Sequence, residues 1–370
     1  MTTLFINGKF LAQRTTGVQR VAQQLLRALD ARLTSAPHAG PVVLLLPPGA
    51  TAPALRHVES ATVGLARVPL HFWEQCLLPW ASRSGMLLSL AGSAPLLANR
   101  QVCLLHDAAV FDTPQAYSAA FGLWYRTLFR LLPRRHATLL TVSAFSRARL
   151  AANLGIPVAN IGLAPNGGEH LQDVEPDVGV LKRLGIDRGS YYLAVGSISP
   201  NKNFEALQSA FALLGAGSGV KLVMVGAEDR RVFANRAARG APAGAGIVHA
   251  GALDDAALKA LYQHAIALVF PSLYEGFGLP PLEAMSCGCP VAASSAAAIP
   301  EICGDAALYF DPNSVEEIAA AMQQLADDDA LRDRLRLAGA KRVQHFHWGR
   351  AAALLYEHVE AARLAGKVPP

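Results

Sequence analysis

Short apolar runs alternate with longer amphipathic stretches along the whole chain. In the first half, strand-like runs occupy residues 4–6, 42–46, 86–90, 102–105 and 137–142. The pattern restarts after about residue 185, with runs at 191–195, 221–225, 247–250, 267–270 and 291–293. Helical stretches such as 18–29 separate most of these runs. Such alternation is typical of α/β proteins in which parallel sheets carry helices on both faces.

The restart of the pattern predicts two doubly wound domains of similar size. A polar segment rich in turn residues lies between the two sets of strands and is the best linker candidate. We therefore expect a first domain at 1–170, a linker at 171–188, a second domain at 189–348, and a helix at 349–370 that packs back on the first domain. Ligands of open parallel sheets bind beyond the carboxyl ends of the strands, so two such domains are expected to face a central cleft.

Composition and charge narrow the class of protein. The chain has 370 residues, of which 52% are hydrophobic, and this supports two sizeable cores. No apolar run reaches the roughly 18 residues that span a bilayer, and the first ten residues show no secretion signal. The odd number of cysteines, five, without metal-site spacing predicts reduced thiols in a cytoplasmic protein.

Basic residues are concentrated in the first half of the chain. Residues 1–170 contain 15 Lys and Arg against 6 Asp and Glu, a balance of +9, whereas the balance of the remainder is −4. Such a half suits an anionic membrane surface or a phosphorylated acceptor, and an arginine-rich composition is the alternative explanation. Nucleic-acid binding is disfavoured because no recognition motif accompanies the charge.

The segment 271–283 carries the strongest chemical signal. It follows a predicted strand, and its Pro-Pro pair at 280–281 suits the start of a helix, which would place Glu283 in the first turn. A helix start is a natural diphosphate site, and Gly276 and Gly278 allow a ligand to approach the backbone closely. Carboxylates beside a diphosphate are unfavourable unless they accept hydrogen bonds from sugar hydroxyls. Glu275 and Glu283 are therefore predicted to bind two different sugars.

Other loops at strand ends carry further candidate residues. Lys202 lies six residues after Gly196, where it could neutralise a diphosphate leaving group. His106 and Asp107 follow the strand at 102–105 and are expected to point into the cleft. Gly17 lies between the first strand and the first helix, and a simple tight turn is the alternative explanation for it.

Together these motifs resemble glycosyltransferase family 4 (group 1), retaining enzymes with the GT-B fold. The resemblance is carried by Glu-x7-Glu around Gly-Phe-Gly-Leu-Pro and continues at 284–285, 288–291, 299–301 and 306–312. It implies a hexosyltransferase with two Rossmann-like domains. It also implies catalytic roles for His106, Lys202 and Glu275. The implied donor site comprises Gly17, Gly196, Ser197, Lys202, Leu253, Glu275, Gly276, Phe277, Gly278, Leu279 and Glu283.

Within the resemblance, each residue has an implied task. Glu275 contacts the donor sugar, Glu283 binds the ribose hydroxyls, and the amides of 277–279 hold the sugar and the distal phosphate. His106 contacts the transferring sugar near its reactive carbon. The turn containing Leu253 reads the nucleotide base through its backbone. Many members of the family have an arginine at the position of Ser197, so one phosphate cation stays unassigned in this chain.

We expect front-face transfer, because Glu275 binds hydroxyls in the family and no other carboxylate is placed for a double displacement. The leaving phosphate would then take the acceptor's proton. No Asp-x-Asp motif stands in a suitable place, so we expect neither a metal nor a cofactor beyond the nucleotide sugar. Segments 5–8 and 72–75 resemble mannosyltransferase-like members of polysaccharide assembly, which favours GDP-mannose over a UDP-sugar.

The expected acceptor is a polyprenyl-diphosphate-linked saccharide at the cytoplasmic face of the membrane, in bacterial surface or exopolysaccharide biosynthesis. Arg20 and Asp107 are acceptor-side candidates. An amphipathic stretch at 118–132 has Arg126 and Arg130 on one face and an apolar side formed by Phe121, Trp124, Leu128 and Leu131. It could rest on an anionic membrane, or it is an ordinary core helix. Three other functions stay open: a nucleotide-sugar epimerase, a non-catalytic sugar-nucleotide-binding protein, and a phosphorylase, although no lysine is placed for pyridoxal phosphate.

Overall fold

The computed structural model describes residues 2–36, 38–215, 219–226 and 246–365. The chain divides into two compact units. The first comprises Met1–Phe111, Leu123–Asn166 and Trp348–Pro370, and the second comprises Asp112–Gly122 and Gly167–His347. Each unit has its own parallel sheet.

The strands of the described residues are short. Each predicted run coincides with a strand, whereas three further strands, Glu59–Thr62, Ile161–Leu163 and Leu308–Phe310, were not predicted. In chain order the strands are β1 Leu4–Asn7, β2 Val42–Leu46, β3 Glu59–Thr62, β4 Met86–Ser89, β5 Gln101–Leu104, β6 Thr138–Thr141, β7 Ile161–Leu163, β8 Tyr191–Val195, β9 Lys221–Val225, β10 Ile247–Gly251, β11 Ala267–Phe270, β12 Val291–Ser294 and β13 Leu308–Phe310.

Helices separate most of these strands. They are α1 Gly17–Ser35, α2 Leu70–Phe72, α3 Leu78–Ala81, α4 Ala109–Asp112, α5 Ala119–Leu131, α6 Ala144–Leu154, α7 Gly179–Leu184, α8 Phe204–Leu213, α9 Asp255–His264, α10 Leu279–Ser286, α11 Ile299–Cys303, α12 Val315–Asp327, α13 Asp329–Val343 and α14 Trp348–Ala365. No helix in the described ranges is both long enough and apolar enough to cross a bilayer.

The sheet of the first unit has the order β3-β2-β1-β4-β5-β6-β7, and all of its strand pairs are parallel. The strand order reverses direction at β1, so right-handed crossovers distribute helices over both faces. Trp73 is fully buried among Phe5, Leu45 and Leu87. It lies in a π-helical turn, Trp73–Leu77, which the sequence pattern did not predict.

The sheet of the second unit has the order β10-β9-β8-β11-β12-β13 within the described residues, again with parallel pairs throughout. This is the 3-2-1-4-5-6 order of the Rossmann fold, whose switch point lies between β8 and β11. Apolar side chains of α8 and α12 pack on one face of the sheet, with Leu207 and Met322 fully buried there. Loops that follow β8 and β11 therefore lie side by side at the carboxyl edge.

The expected linker and the expected last helix each belong to one of the two units. Residues 171–188, for which the sequence predicts a linker, lie in the second unit and include α7, where Val180 and Leu181 are buried. Helix α14 lies in the first unit and packs on α1, and its Tyr356 hydroxyl is 2.8 Å from Nδ1 of His38, which follows α1. The expected helix at 349–370 is thus observed as far as Ala365, and 366–370 lie outside the described residues.

Candidate active site and its relatives

Lys202 and Glu275 meet at the carboxyl edge of the second sheet. Lys202 ends a short 3-10 turn after β8, and Glu275 lies in the loop after β11. The two strands are hydrogen-bonded neighbours, so their loops are adjacent. Lys202 Nζ donates to Glu275 Oε1, and both side chains are largely but not fully buried. The sequence predicted both residues, and the structure brings them together as an ion pair.

The loop after Glu275 turns into α10 through Gly278, whose φ of +93° is a left-handed conformation suited to glycine. A helix leaves its first four N–H groups without intrahelical acceptors. Two of these positions are prolines here, so the amide donors at this helix start belong to Gly278 and Leu279. Phe277 is buried edge-on against Phe346, with ring centroids 5.7 Å apart. The segment thus offers backbone donors on a rigid support.

Glu283 lies elsewhere on α10 than the sequence predicted. The helix begins at Leu279, one residue before the proline pair, so Glu283 is the fifth helical residue and lies beyond the first turn. Its side chain is 3% exposed. Tyr262 hydroxyl donates to Oε2 at 2.9 Å, and His170 Nε2 lies 3.1 Å from Oε1. The Glu283 carboxylate is therefore held by side chains from two other parts of the second unit.

Tyr262 and His170 were not predicted from the sequence. Tyr262 is on α9 and its hydroxyl is fully buried; burial together with the nearby Glu283 carboxylate raises the pKa of Tyr262 well above its usual value. The phenol is therefore protonated and acts as a donor to Glu283 throughout the physiological pH range. Tyr262 lies within α9 and carries no sequence signal. His170 stands seven residues after β7 and directly after Gly167-Gly168-Glu169, so this glycine pair is a signal that could have marked it.

Close backbone approaches join the loops after β8, β9 and β10. Gly196 N–H donates to Val225 carbonyl at 2.9 Å, and Gly226 N–H donates to Gly251 carbonyl at 2.8 Å. A β-carbon on Gly226 would overlap the Gly196 carbonyl, so Gly226 is a further constrained glycine that the sequence analysis missed. Ser197 is half-buried beside Gly196, and Leu253 follows at the turn into α9.

His106 lies in the first unit, two residues after β5. Its Nε2 is 2.9 Å from Leu90 carbonyl oxygen, which only accepts hydrogen bonds, so the imidazole carries its proton on Nε2. Burial lowers the pKa of His106 to about 4, although the Leu90 hydrogen bond acts in the opposite direction. The ring is therefore neutral at physiological pH, and Nδ1 has a lone pair for accepting a hydrogen bond.

Three other predicted residues also lie in the first unit. Asp107 Oδ1 accepts the Ala109 N–H at 2.8 Å, so this carboxylate caps α4 in addition to any contact with an acceptor. Gly17 is the first residue of α1, and no described atom lies within 4 Å of the position that a β-carbon would take. Its φ is not left-handed either. Neither packing within the described structure nor backbone conformation therefore requires glycine at this position. Arg20 is half-buried in the first turns of the same helix.

The amphipathic helix α5 differs from its prediction in which residues face solvent. Leu123 and Trp124 are 64% and 37% exposed, although the sequence analysis placed Trp124 on the apolar side. Arg126 Nη1 contacts Val110 carbonyl at 3.4 Å, and Arg130 stacks over Phe111. Arg126 is half-buried and Arg130 is exposed, so both contact the protein while Arg130 still presents its charge to solvent. Within the described ranges, no group of three or more His, Cys, Asp or Glu is arranged to hold a metal ion.

Solved structures with similar folds include glycosyltransferases. The Anabaena protein HepE, solved in complex with UDP-glucose, superposes with a TM-score of 0.73 over 98% of this chain and all of that one, at 17% identity. WaaG, a glycosyltransferase of lipopolysaccharide biosynthesis, gives 0.65 over 99% of this chain and all of that one, at 14% identity. At these identities the comparison shows the fold, GT-B, as the sequence predicted.

Relatives identified by sequence share higher identity with this chain than these solved structures do. O-antigen chain mannosyltransferase B of Escherichia coli is 32% identical over 262 residues, which cover 69% of this chain and 68% of that protein. The serotype-specific mannosyltransferase WbdA of Escherichia coli is 34% identical over 172 residues, 45% of this chain but only 21% of that longer protein. The family model for glycosyl transferases group 1 matches residues 182–342. The chain is therefore a glycosyltransferase and belongs to the group 1 family.

Proposed function

We propose that this enzyme transfers mannose from GDP-mannose, with retention of configuration, to a lipid-linked saccharide in the assembly of a bacterial surface polysaccharide. Support for mannose and for this acceptor class comes from the relatives, of which O-antigen chain mannosyltransferase B matches over two thirds of both chains. A UDP-sugar is the alternative donor, since HepE was solved with UDP-glucose, but its 17% identity supports only the fold.

The observation that carries the proposal is the Lys202–Glu275 pair at the switch point of the second sheet. A nucleotide sugar presents a diphosphate next to a sugar ring that carries hydroxyls. The pair offers a cation for the diphosphate next to a hydrogen-bond acceptor for the hydroxyls. Lys202 would neutralise the diphosphate as the glycosidic bond breaks, aided by the amides at the start of α10. Glu275 Oε2 would accept a hydrogen bond from a hydroxyl of the donor sugar.

Retention is proposed to proceed on one face of the sugar. The bond from the anomeric carbon to the phosphate oxygen breaks while the acceptor oxygen forms its bond on the same face. The acceptor's proton passes to the departing phosphate oxygen. Glu275, whose Oε1 is already engaged by the Lys202 ammonium, is poorly suited to attack carbon as a nucleophile. No metal is required in this scheme, because Lys202 and helix-start amides carry the charge.

His106 is proposed to contact the transferred sugar as an uncharged hydrogen-bond acceptor. Because Nε2–H is engaged by Leu90, the remaining ring nitrogen, Nδ1, would accept a hydrogen bond from a sugar hydroxyl. A neutral ring does not add charge beside the anomeric carbon, where positive charge develops in the transition state. Its low pKa keeps this form dominant over the working pH range.

Peripheral association with the cytoplasmic face of the membrane completes the proposal. Helix α5 exposes Leu123 and Trp124, and the turn just after it exposes Arg134 and Arg135. This combination of apolar and basic side chains suits an anionic membrane interface. Sedimentation with vesicles rich in phosphatidylglycerol should recover the enzyme, whereas Leu123→Ser/Trp124→Ser should stay in the supernatant. Equal recovery with pure phosphatidylcholine vesicles would contradict an electrostatic contribution.

A donor screen tests the function directly. Purified enzyme is incubated with GDP-mannose, UDP-glucose or UDP-galactose, each with and without a polyprenyl-diphosphate-linked oligosaccharide, and nucleotide release is measured. We expect acceptor-dependent release of GDP, and its loss in Glu275→Ala. Acceptor-dependent release of UDP instead would replace mannose by another hexose. A new nucleotide sugar formed from the donor alone would favour an epimerase.

The stereochemical part of the proposal has its own test. NMR of the purified product reports the anomeric configuration of the new linkage through its one-bond carbon–hydrogen coupling. GDP-mannose carries an α-linked sugar, so we expect an α-linked product. A β-linked product would show inversion and would exclude the front-face scheme.

A further inference from the structure

A buried ion pair in the first unit has no part in the proposed donor chemistry. Lys9 follows β1 and is 2% exposed, and Glu74 lies in the π-helical turn and is fully buried. Lys9 Nζ is 2.6 Å from Glu74 Oε2. The two residues belong to the segments 8–12 and 73–77, which meet beside the carboxyl end of β1.

Burying such a pair costs several kcal/mol for each ion, and the attraction between the charges recovers this only when further hydrogen bonds are made. Those bonds are present. Glu74 Oε1 accepts from Asn7 Nδ2 at 3.0 Å and from Ser93 Oγ at 2.7 Å, and Lys9 Nζ is 3.3 Å from Ser93 Oγ. Because apolar residues would fill the same volume at lower cost, the pair is better explained by what it orients than by stability alone.

What the pair orients is the segment 89–93 between β4 and β5. Ser93 is bound by both ions, and Ser89, at the end of β4, is 3.3 Å from Asn7 Nδ2. The segment is therefore held at both ends. Its middle carries Leu90, whose carbonyl accepts the proton of His106 Nε2.

A second contact brings the same segment against the imidazole. Gly92 has a φ of +70°, and a β-carbon there would lie 3.5 Å from His106 Cδ2. The Gly92 N–H donates to Leu104 carbonyl at 3.2 Å, which ties the turn to the strand that precedes His106. The ring thus rests on the turn, and any shift of segment 89–93 moves the acceptor that selects its tautomer.

We propose that the Lys9–Glu74 pair is a positioning device for His106, acting through Ser93 and the Leu90 carbonyl to fix the orientation and tautomer of the imidazole. Lys9 and Glu74 do not touch substrate in this scheme. The inference rests on the proposed function only in giving His106 a role in transfer; the positioning itself is a property of the free enzyme.

Two variants perturb this arrangement without leaving one buried charge unpaired. Ser93→Ala removes the hydroxyl through which both ions hold the turn, and the Lys9→Met/Glu74→Gln double variant removes both charges at nearly constant shape. For each we expect kcat to fall by roughly 10-fold or more, with little change in the KM for the donor, because the ring is misplaced rather than the donor site lost.

Asp30 supplies a matched control. It is a buried carboxylate of the same unit that accepts the N–H groups of Arg56, His57 and Val58, and within the described ranges its hydrogen bonds do not reach segment 89–93. Asp30→Asn should lower the unfolding temperature while kcat of the folded enzyme stays at the wild-type value. A similar loss of kcat in this control would mean that any buried polar change impairs the unit.

A substrate-free measurement separates the positioning from the proposed function. ¹⁵N NMR of histidine-labelled enzyme, with His106→Gln used for assignment, should show a single Nε2-protonated tautomer in the wild type. In both variants its ring nitrogen shifts should move towards a tautomer mixture. Unchanged ring signals in both variants overturn the positioning inference. Altered ring signals together with full activity of His106→Gln leave the positioning intact and reject the catalytic role of His106.

Discussion

Acidification should destabilise the first unit through His106. Its pKa is lowered from an ordinary 6.5 to about 4 by burial, so the folded state keeps the ring neutral where the unfolded chain would protonate it. The unfolded state therefore binds more protons between these two values. The stabilisation is fully present above 6.5 and is lost as pH falls towards 4.

The size of the effect follows from the two pKa values. At about pH 5 the unfolded imidazole is almost fully protonated and the folded one is almost fully neutral. That pH lies about 1.5 pH units below the unfolded value, and each unit is worth about 1.4 kcal/mol, so His106 should lower the free energy of unfolding by roughly 2 kcal/mol between about pH 8 and about pH 5.

Urea unfolding followed by tryptophan fluorescence is the suitable assay, because every tryptophan of the chain lies in the first unit: Trp73, Trp80, Trp124 and Trp348. The comparison is between wild type and His106→Gln, whose amide can still donate to the Leu90 carbonyl but does not titrate. Other groups titrate equally in both proteins. If the variant loses as much free energy of unfolding as the wild type over this range, His106 is not held as a buried neutral ring.

Four further predictions concern the reaction. Lys202→Met should reduce kcat by about 10²- to 10³-fold in a nucleotide-release assay, whereas the exposed Lys341→Met should retain the wild-type rate; equal rates would remove Lys202 from the charge-stabilising role. Tyr262→Phe deprives Glu283 of its hydroxyl donor and should weaken GDP binding in calorimetry by about 10-fold, so unchanged affinity would argue against ribose binding at Glu283. Gly17→Ala should keep the unfolding temperature but raise the donor KM, since no described atom occupies the space of the new methyl group, and an unchanged KM would place the donor elsewhere. Activity should survive thorough EDTA treatment, and a loss restored by a divalent cation would contradict metal independence.

Much of the fold could be predicted because apolar strand runs record burial directly. The runs at 191–195, 221–225 and 267–270 coincide with β8, β9 and β11. Strand β3 was missed because all four of its residues, Glu59–Thr62, are exposed at the sheet edge and carry no apolar pattern. The π-helical turn at Trp73–Leu77 was missed because its apolar residues fit an ordinary helix equally well.

Site residues could be predicted where they stand in loops directly after strands. They could not be predicted where only tertiary packing brings them to the site. Lys202 and Glu275 stand in glycine- and proline-marked loops after strands, which is why both were found. Tyr262 and His170 reach Glu283 from other elements, and only the folded chain brings them together. The fifth-residue position of Glu283 in α10 depends on whether the helix begins before or at the proline pair, a choice that local propensity does not make.

The first unit is assembled from distant parts of the chain, and this has a consequence for synthesis on the ribosome. Its sheet is encoded by the first 166 residues, yet the helix that covers α1 is α14, which emerges only after the whole second unit has been translated. Domains usually fold in order of emergence. Here the order is reversed in part. The second unit consists of Gly167–His347 and the short earlier segment Asp112–Gly122, so all of it has been synthesised before α14. It can therefore fold while α1 is not yet covered by α14.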